Sequence, residues 1–190
     1  MTITIKFTGD SVGLIVRGKK SPDDDPGLME QHADCVLSNG APIGFYGEGN
    51  RGSSNSSGMG MQGIVYDLKE LRRKRPYYVD RKAARAFDAL STALIIRVGA
   101  KQAQAFDAAW KKITDSPGSF NILGGNCATH ANKAFVEAGI LPGGIPGLDT
   151  PNNLYKQLSV ARKKDCDSYS GYIGFAPQTN GRFFVLIDEA

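Results

Sequence analysis

Cys127 is the residue whose type and position point most directly to chemistry. It follows the run Gly124-Gly125-Asn126 and begins a segment of helical pattern over residues 127–138. At the start of a helix, unpaired backbone N–H groups and the positive end of the helix dipole favour the thiolate form of a cysteine. The same N–H groups can stabilise an oxyanion, so the position predicts a nucleophile for acyl transfer. A buried structural cysteine is the alternative interpretation.

A thiol nucleophile needs a general base, and the sequence contains two histidines, His32 and His130. His130 lies one helical turn after Cys127, where it can approach the thiol but is poorly placed to reach a leaving group as well. His32 begins a predicted strand, and an imidazole facing the thiol across a cleft can serve both partners. We therefore predict Cys127 and His32 as the catalytic pair. Two further ligands for a zinc site around Cys127 and His130 are missing, so neither a metal nor another cofactor is predicted.

Three carboxylates are candidates for the group that orients His32. If the Asn39-Gly40 hairpin has a three-residue loop, Glu48 lies opposite His32, and Glu48 is the preferred third catalytic residue. Asp34 lies on the same strand face as His32 but about 7 Å along the strand. Asp10 on the preceding strand is the third candidate, and a Cys–His dyad without a third side chain is the remaining alternative.

Three further residues are predicted to contact the substrate. Asn126 precedes Cys127 and is also suited to cap its helix. Tyr46 ends the second strand of the predicted hairpin, and His130 faces the rim of the cleft. The Gly/Ser-rich segment at about residues 47–61 follows that hairpin, and it predicts a mobile loop that flanks the substrate.

The elements around these residues run from strands through helices and back to strands. Period-two patterns predict strands at residues 2–7, 12–17, 62–68, 172–175 and 183–187, with the hairpin between residues 32 and 46. Helical patterns predict helices that follow Asp80 up to residue 98 and that cover residues 101–114, 127–138 and 151–162. This order favours an α+β fold, and the length favours a single domain over residues 1–190.

Composition and charge exclude several classes of protein. With 41% hydrophobic and 22% charged residues the chain can form a packed core. A net charge of +4 is too small to imply nucleic-acid binding. No run approaches the roughly 18 apolar residues of a membrane span, and residues 1–7 lack the regions of a signal peptide. We therefore expect no stable membrane insertion, and synthesis in the cytoplasm without a leader.

Four short motifs resemble the circularly permuted NlpC-type papain-like cysteine amidases and peptidases. They are His32-Ala33, Gly44-Phe45-Tyr46-Gly47, Asn126-Cys127-Ala128 and Glu137-Ala138-Gly139-Ile140. Ordinary members carry the cysteine helix before the histidine strand. Here His32 precedes Cys127, as in permuted amidases and in relatives of lecithin retinol acyltransferase. The resemblance covers roughly residues 30–50 and 115–158.

The resemblance implies an antiparallel sheet packed against the helix that carries the nucleophile. A small member of this group is most similar to type VI secretion effectors that cut the peptides of peptidoglycan. It also implies delivery by a contractile system into the periplasm of a target cell, a secretion-machinery carrier and a matching immunity protein. Two alternatives use the same Cys–His pair: a thiol acyltransferase or lipase, and a protein deamidase. A non-catalytic binding module is the alternative from another class.

Overall fold

The computed structural model describes residues 1–48, 61–121 and 124–190. Over these residues the chain is a mixed α/β protein with a nine-stranded antiparallel sheet and five α-helices, compatible with the predicted α+β class. The strands are β1 Thr2–Lys6, β2 Ser11–Arg17, β3 His32–Val36, β4 Pro42–Glu48, β5 Met61–Asp67, β6 Ser91–Arg97, β7 Ser119–Phe120, β8 Cys166–Pro177 and β9 Phe183–Asp188. The helices are α1 Leu68–Lys74, α2 Arg81–Ala86, α3 Ala100–Asp115, α4 Cys127–Glu137 and α5 Pro151–Ala161.

The sheet has the strand order β1-β9-β8-β6-β2-β3-β4-β5-β7, and its neighbouring strands are antiparallel. Strands β2, β3 and β4 occupy adjacent positions near the middle of this order. They are almost entirely buried because helices cover the sheet on both faces. The centre of the sheet is therefore the rigid platform from which site residues project.

Two apolar cores lie on the two faces of the sheet. The larger packs α3, α4 and α5 onto the sheet, and its largest buried side chains include Leu14, Phe45, Phe106, Trp110 and Phe135. The second core packs α1 and the segment around Val79 onto the opposite face, and its residues include Phe7, Ile15 and Leu71. Alternation along β3 sends Ala33 and Cys35 into the first core, so His32 and Asp34 project from the other face.

The predicted helix that follows Asp80 and reaches residue 98 is wrong. Only α2 is helical there, and the residues after it form β6, which pairs with β2 and β8. Strand β6 is buried on both faces, so its apolar residues do not alternate with polar ones and also fit a helical spacing. Phe87, which lies within the range of the predicted long helix, follows α2 and is 70% exposed.

The β3–β4 hairpin sets the register on which one site prediction depended. Asp34 pairs with Gly44, and the Leu37 N–H donates to the Ala41 carbonyl at 2.9 Å. Continued along the strands, this register places Tyr46 opposite His32. The prediction that Glu48 lies opposite His32 is therefore wrong, because Glu48 lies two residues further along β4 than Tyr46.

The predicted mobile loop at about residues 47–61 is described only at its ends. Gly47 and Glu48 finish β4 and Met61 begins β5, and these strands pair with one another. Residues 49–60 lie outside the described part of the chain, and so does the prediction of a mobile flanking loop there.

Candidate active site

Asn126 and Cys127 form the start of α4. The Asn126 side-chain Oδ1 accepts the Thr129 backbone N–H at 3.0 Å, which is the hydrogen bond of an N-terminal cap. Its Nδ2 donates to the Asp149 carbonyl at 2.8 Å and ties the helix start to the chain before α5. The N–H groups of Cys127 and Ala128 occupy the first two helix positions, where a helix offers no acceptor of its own. These two groups can bind an oxyanion at the thiol.

The Cys127 thiol lies against the start of β3. The side chain is 6% exposed, and its Sγ accepts the Ala33 backbone N–H at 3.4 Å. Burial alone raises the pKa of Cys127, but the charge of His32 and hydrogen bonds from His32 and Ala33 outweigh it and hold the pKa below its ordinary value. The thiolate is therefore favoured by a cation and by a backbone donor together.

His32 stands between the thiol and a carboxylate. Its Nε2 lies 3.0 Å from Asp34 Oδ1, which leaves Nδ1 as the nitrogen for Cys127. Burial alone lowers the pKa of His32, but the charges of Cys127 and Asp34 and its hydrogen bonds to both raise that pKa to about 9. The side chain keeps 17% of its surface exposed, so the imidazole can meet a substrate. Cys127 and His32 together favour a thiolate–imidazolium pair.

Asp34 is the carboxylate that orients His32. It is completely buried, and its Oδ2 accepts the Arg17 Nε–H at 2.8 Å. Its Oδ1 also accepts the Tyr46 hydroxyl at 2.7 Å. Burial raises the pKa of Asp34, but the positive charges of Arg17 and His32 prevail and keep that pKa well below its usual range. Asp34 thus stays charged beside His32.

Gly44 makes room for the Asp34 carboxylate. It lies directly across the β3–β4 pair, and a Cβ atom there would stand 2.1 Å from Asp34 Oδ1. Any side chain at this position would displace the carboxylate from His32. The first glycine of the Gly44-Phe45-Tyr46-Gly47 motif therefore has a structural reason in the site.

Aromatic rings fix the plane of the imidazole. The His32 ring stacks on Tyr46 with centroids 4.2 Å apart, and Tyr46 stacks in turn on Tyr66 at 4.3 Å. Tyr78 lies parallel to His32 at 6.1 Å and carries the Arg17 guanidinium 4.5 Å above its ring. These contacts limit rotation of His32 away from Cys127 and Asp34.

A cleft of about 240 Å³ opens onto Cys127 and His32. Its walls are mostly apolar, and Met29, 81% exposed, forms part of its rim. Its other lining residues are Leu28, Gln31, Met61, Phe120, Asn126, Asp149 and Pro151. A thiolate, a proton donor and free N–H groups at one end of a cleft can together attack a carbonyl and release its leaving group.

Two of the predicted carboxylates lie elsewhere. Glu48 Oε1 accepts the Tyr66 hydroxyl at 2.6 Å and forms an ion pair with Lys74. Asp10 accepts the Thr8 hydroxyl at 2.8 Å at the far end of β2. Both have partners that are not His32, so the structure assigns the orienting position to Asp34. Although the two residues are roughly 7 Å apart along the strand, the polar atoms of their side chains lie 3.0 Å apart.

The residues predicted to contact the substrate occupy different places. Asn126 lines the cleft beside Cys127, and its contact with a substrate stays a prediction. Tyr46 holds Asp34 and stacks on His32. His130 is buried, with Nδ1 3.0 Å from the Asn126 carbonyl and its ring stacked on Phe45 at 3.5 Å. It lines a separate surface pocket with Gly124, so it does not face the described part of the Cys127 cleft.

Arg17 is the site residue that sequence reasoning missed. It ends an apolar strand and is only 3% exposed. The available signal in the sequence is an arginine that directly follows the uncharged run at residues 12–16 of a predicted strand. An arginine in a buried strand needs a carboxylate partner, because a buried guanidinium is costly without one. Arg17 lies opposite His32 in the backbone register of β2 and β3, and the sequence does not show that register.

Comparisons with protein-family models, curated proteins and solved structures gave no match. Within residues 1–48, 61–121 and 124–190, no three or more His, Cys, Asp or Glu side chains are grouped to hold a metal ion. No helix of that described part is long and apolar enough to cross a membrane.

Proposed function

We propose that this protein is a cysteine amidase or endopeptidase that hydrolyses the stem peptides of peptidoglycan. The observation that carries the proposal is the chain of side-chain hydrogen bonds from the Cys127 thiol through His32 to the buried Asp34, at the end of an open cleft. Such a chain activates a thiol and orients its base, which is the arrangement that acyl transfer requires.

In the proposed reaction the Cys127 thiolate attacks the carbonyl carbon of an amide. The N–H groups of Cys127 and Ala128 hold the developing oxyanion. The protonated His32 gives its proton to the departing nitrogen, and Asp34 stabilises the imidazolium before that transfer. Water, deprotonated by His32, then attacks the thioester and releases the acid and the free thiol.

The permuted papain-like fold is part of this proposal. It is supported by an antiparallel sheet that carries His32 at the start of a strand, and by a helix that packs on that sheet with Cys127 at its start. The type VI effector assignment follows from the same resemblance. Under it the chain acts in the periplasm of a target cell and has an immunity protein and a secretion-machinery carrier as partners.

Purified protein incubated with muropeptides tests the proposal. Mass spectrometry of the products should show cleavage of one amide bond, and Cys127→Ala should abolish it with little change in thermal stability. The mutation removes one sulfur atom, and the Asn126 cap remains. Hydrolysis that persists in the variant would contradict the mechanism.

Thiol alkylation separates the enzyme from a non-catalytic module. Iodoacetamide at neutral pH should label Cys127 of the native protein much faster than Cys35, a core cysteine whose pKa is raised by its burial. Equal, slow labelling of the two would favour a non-catalytic binding module.

An acyltransferase or lipase is the second candidate function. The exposed Leu28 and Met29 on the rim of the cleft favour it, because they could contact an acyl chain. Release of fatty acid from phosphatidylglycerol vesicles, absent with Cys127→Ala, would select this function over the peptidase.

A further inference from the structure

A second cleft lies on the far side of His32 from the thiol. Its volume is about 290 Å³, and it shares His32, Met29, Gln31, Met61 and Phe120 with the cleft that contains Cys127. Cys127 and Asn126 do not line it, whereas Tyr46, Tyr78 and Arg75 do. The two clefts are therefore adjacent, and His32 lies on the wall of both.

Arg75 is the arginine on the wall of this second cleft. It follows α1, is partly buried, and donates from Nη1 to the Tyr77 hydroxyl at 3.0 Å. Its guanidinium carbon lies 5.3 Å from the Tyr46 ring centroid and 5.9 Å from that of Tyr78. Aromatic rings and a hydroxyl thus hold the guanidinium in place without neutralising it.

No carboxylate of the described residues forms an ion pair with Arg75. Glu30 also lines the second cleft, but it is exposed and its Oε2 accepts the Gly27 N–H at 3.3 Å. By contrast, Arg17 and Arg73 each pair with a carboxylate. A half-buried arginine without such a partner, on a cleft beside the candidate base, is suited to bind a ligand carboxylate with its planar fork of N–H donors.

The proposed reaction determines which part of the substrate would lie in the second cleft. The attacked carbonyl carbon must lie at Cys127, and the departing nitrogen must lie next to its proton donor, His32. The second cleft, which His32 also lines, is then placed to receive the group attached to that nitrogen. We infer that Arg75 binds a carboxylate on the leaving-group side of the scissile amide, so that the preferred substrates are acidic peptides. This inference rests on the proposed function and adds a substrate class to it.

Two substrates test the inference. They are stem peptides that differ only in the residue after the cleaved bond, which carries a free carboxylate in one and a primary amide in the other. Mass spectrometry of the products identifies that bond beforehand. We expect kcat/KM to favour the carboxylate peptide by about tenfold or more, the size of a charge-assisted contact. Arg75→Gln should bring this ratio close to one, and Arg75→Lys should keep part of it.

Arg72→Gln is the matched control. Arg72 is an exposed arginine of α1 that lines a different surface groove, so its loss changes the net charge equally but leaves the second cleft intact. The ratio should not change in this variant. A ratio unchanged in Arg75→Gln, or one that falls equally in both variants, would overturn the inference. Because a ratio of two substrates is measured on one preparation, partial misfolding of a variant does not alter it.

A binding measurement separates failure of the inference from failure of the proposed function. If the native protein cleaves no stem peptide, the proposed function fails. Calorimetric titration of Cys127→Ala protein with fully carboxylated and fully amidated stem tetrapeptides then decides the inference. Tighter binding of the carboxylated peptide, lost in the Arg75→Gln double variant and kept with Arg72→Gln, would support a carboxylate site. Equal binding of the two peptides would overturn it.

Discussion

At the scale of single residues, the site depends on which imidazole serves the thiol. His32→Ala should lower turnover by a factor comparable to that for Cys127→Ala, since nucleophile and base act as one unit. His130→Ala should cost less than about tenfold in rate, because His130 contacts Phe45 and the Asn126 carbonyl rather than the thiol. Rates of both variants on one muropeptide decide the question. An inactive His130→Ala beside an active His32→Ala would refute the assignment of the base.

The pH profile reports on Asp34. In the native protein kcat/KM should rise as the Cys127 thiol loses its proton, below its ordinary pKa, and fall as His32 loses its proton near pH 9. Asp34→Asn removes a negative charge that raises the pKa of His32. The alkaline limb should therefore move to lower pH, and the maximal rate should fall.

Glu48→Gln is the control for this profile, because it makes the same acid-to-amide change beside Tyr66 and Lys74. Its pH dependence should match that of the native protein. A shifted alkaline limb in Glu48→Gln, with none in Asp34→Asn, would restore Glu48 as the orienting group.

At the scale of elements, the cap of α4 links stability to chemistry. Asn126→Ala should lower the free energy of unfolding by roughly 1 kcal/mol, the usual cost of losing such a cap. It should also slow turnover, because Asn126 fixes the helix start on which the thiol and the oxyanion-binding N–H groups stand. Urea unfolding and rates on one muropeptide measure the two effects.

Asp80→Ala provides the comparison. Asp80 caps α2 through the Ala83 N–H at 2.8 Å, and α2 contacts β9 and β8 through Arg81 and Arg85 rather than the elements that carry Cys127 and His32. It should lose similar stability while keeping the native rate. Equal loss of rate in both variants would show that turnover follows stability rather than the position of the helix start.

Local signals explain which elements could be predicted. A capping asparagine, small residues on one face and a following Gly139 mark α4 from Cys127 onward. Strand β6 carries no such signal, because both of its faces are buried and only its pairing with β2 and β8 makes it a strand. The Cys127–His32 contact could be predicted from residue types and element order. The choice of Asp34 could not, because it depends on a hairpin register and on a buried Arg17 from a third strand.

At the scale of the whole molecule, the proposed substrate makes toxicity depend on compartment. Expression in the bacterial cytoplasm should be tolerated, whereas fusion to a periplasmic signal sequence should lyse the cells, since peptidoglycan lies outside the inner membrane. Optical density after induction measures the difference, and the periplasmic Cys127→Ala protein is the control. Equal toxicity in both compartments would point to a lipid or protein substrate instead.

The larger core also contains a built-in spectroscopic probe. Trp110 is the single tryptophan of the chain and is 1% exposed, packed in the core between the sheet and α3, α4 and α5. Its indole fluorescence should lie at short wavelength in the native protein, resist quenching by iodide, and shift to longer wavelength when water reaches the core. An emission spectrum recorded before each assay therefore distinguishes an inactive variant with an intact interior from one that has unfolded.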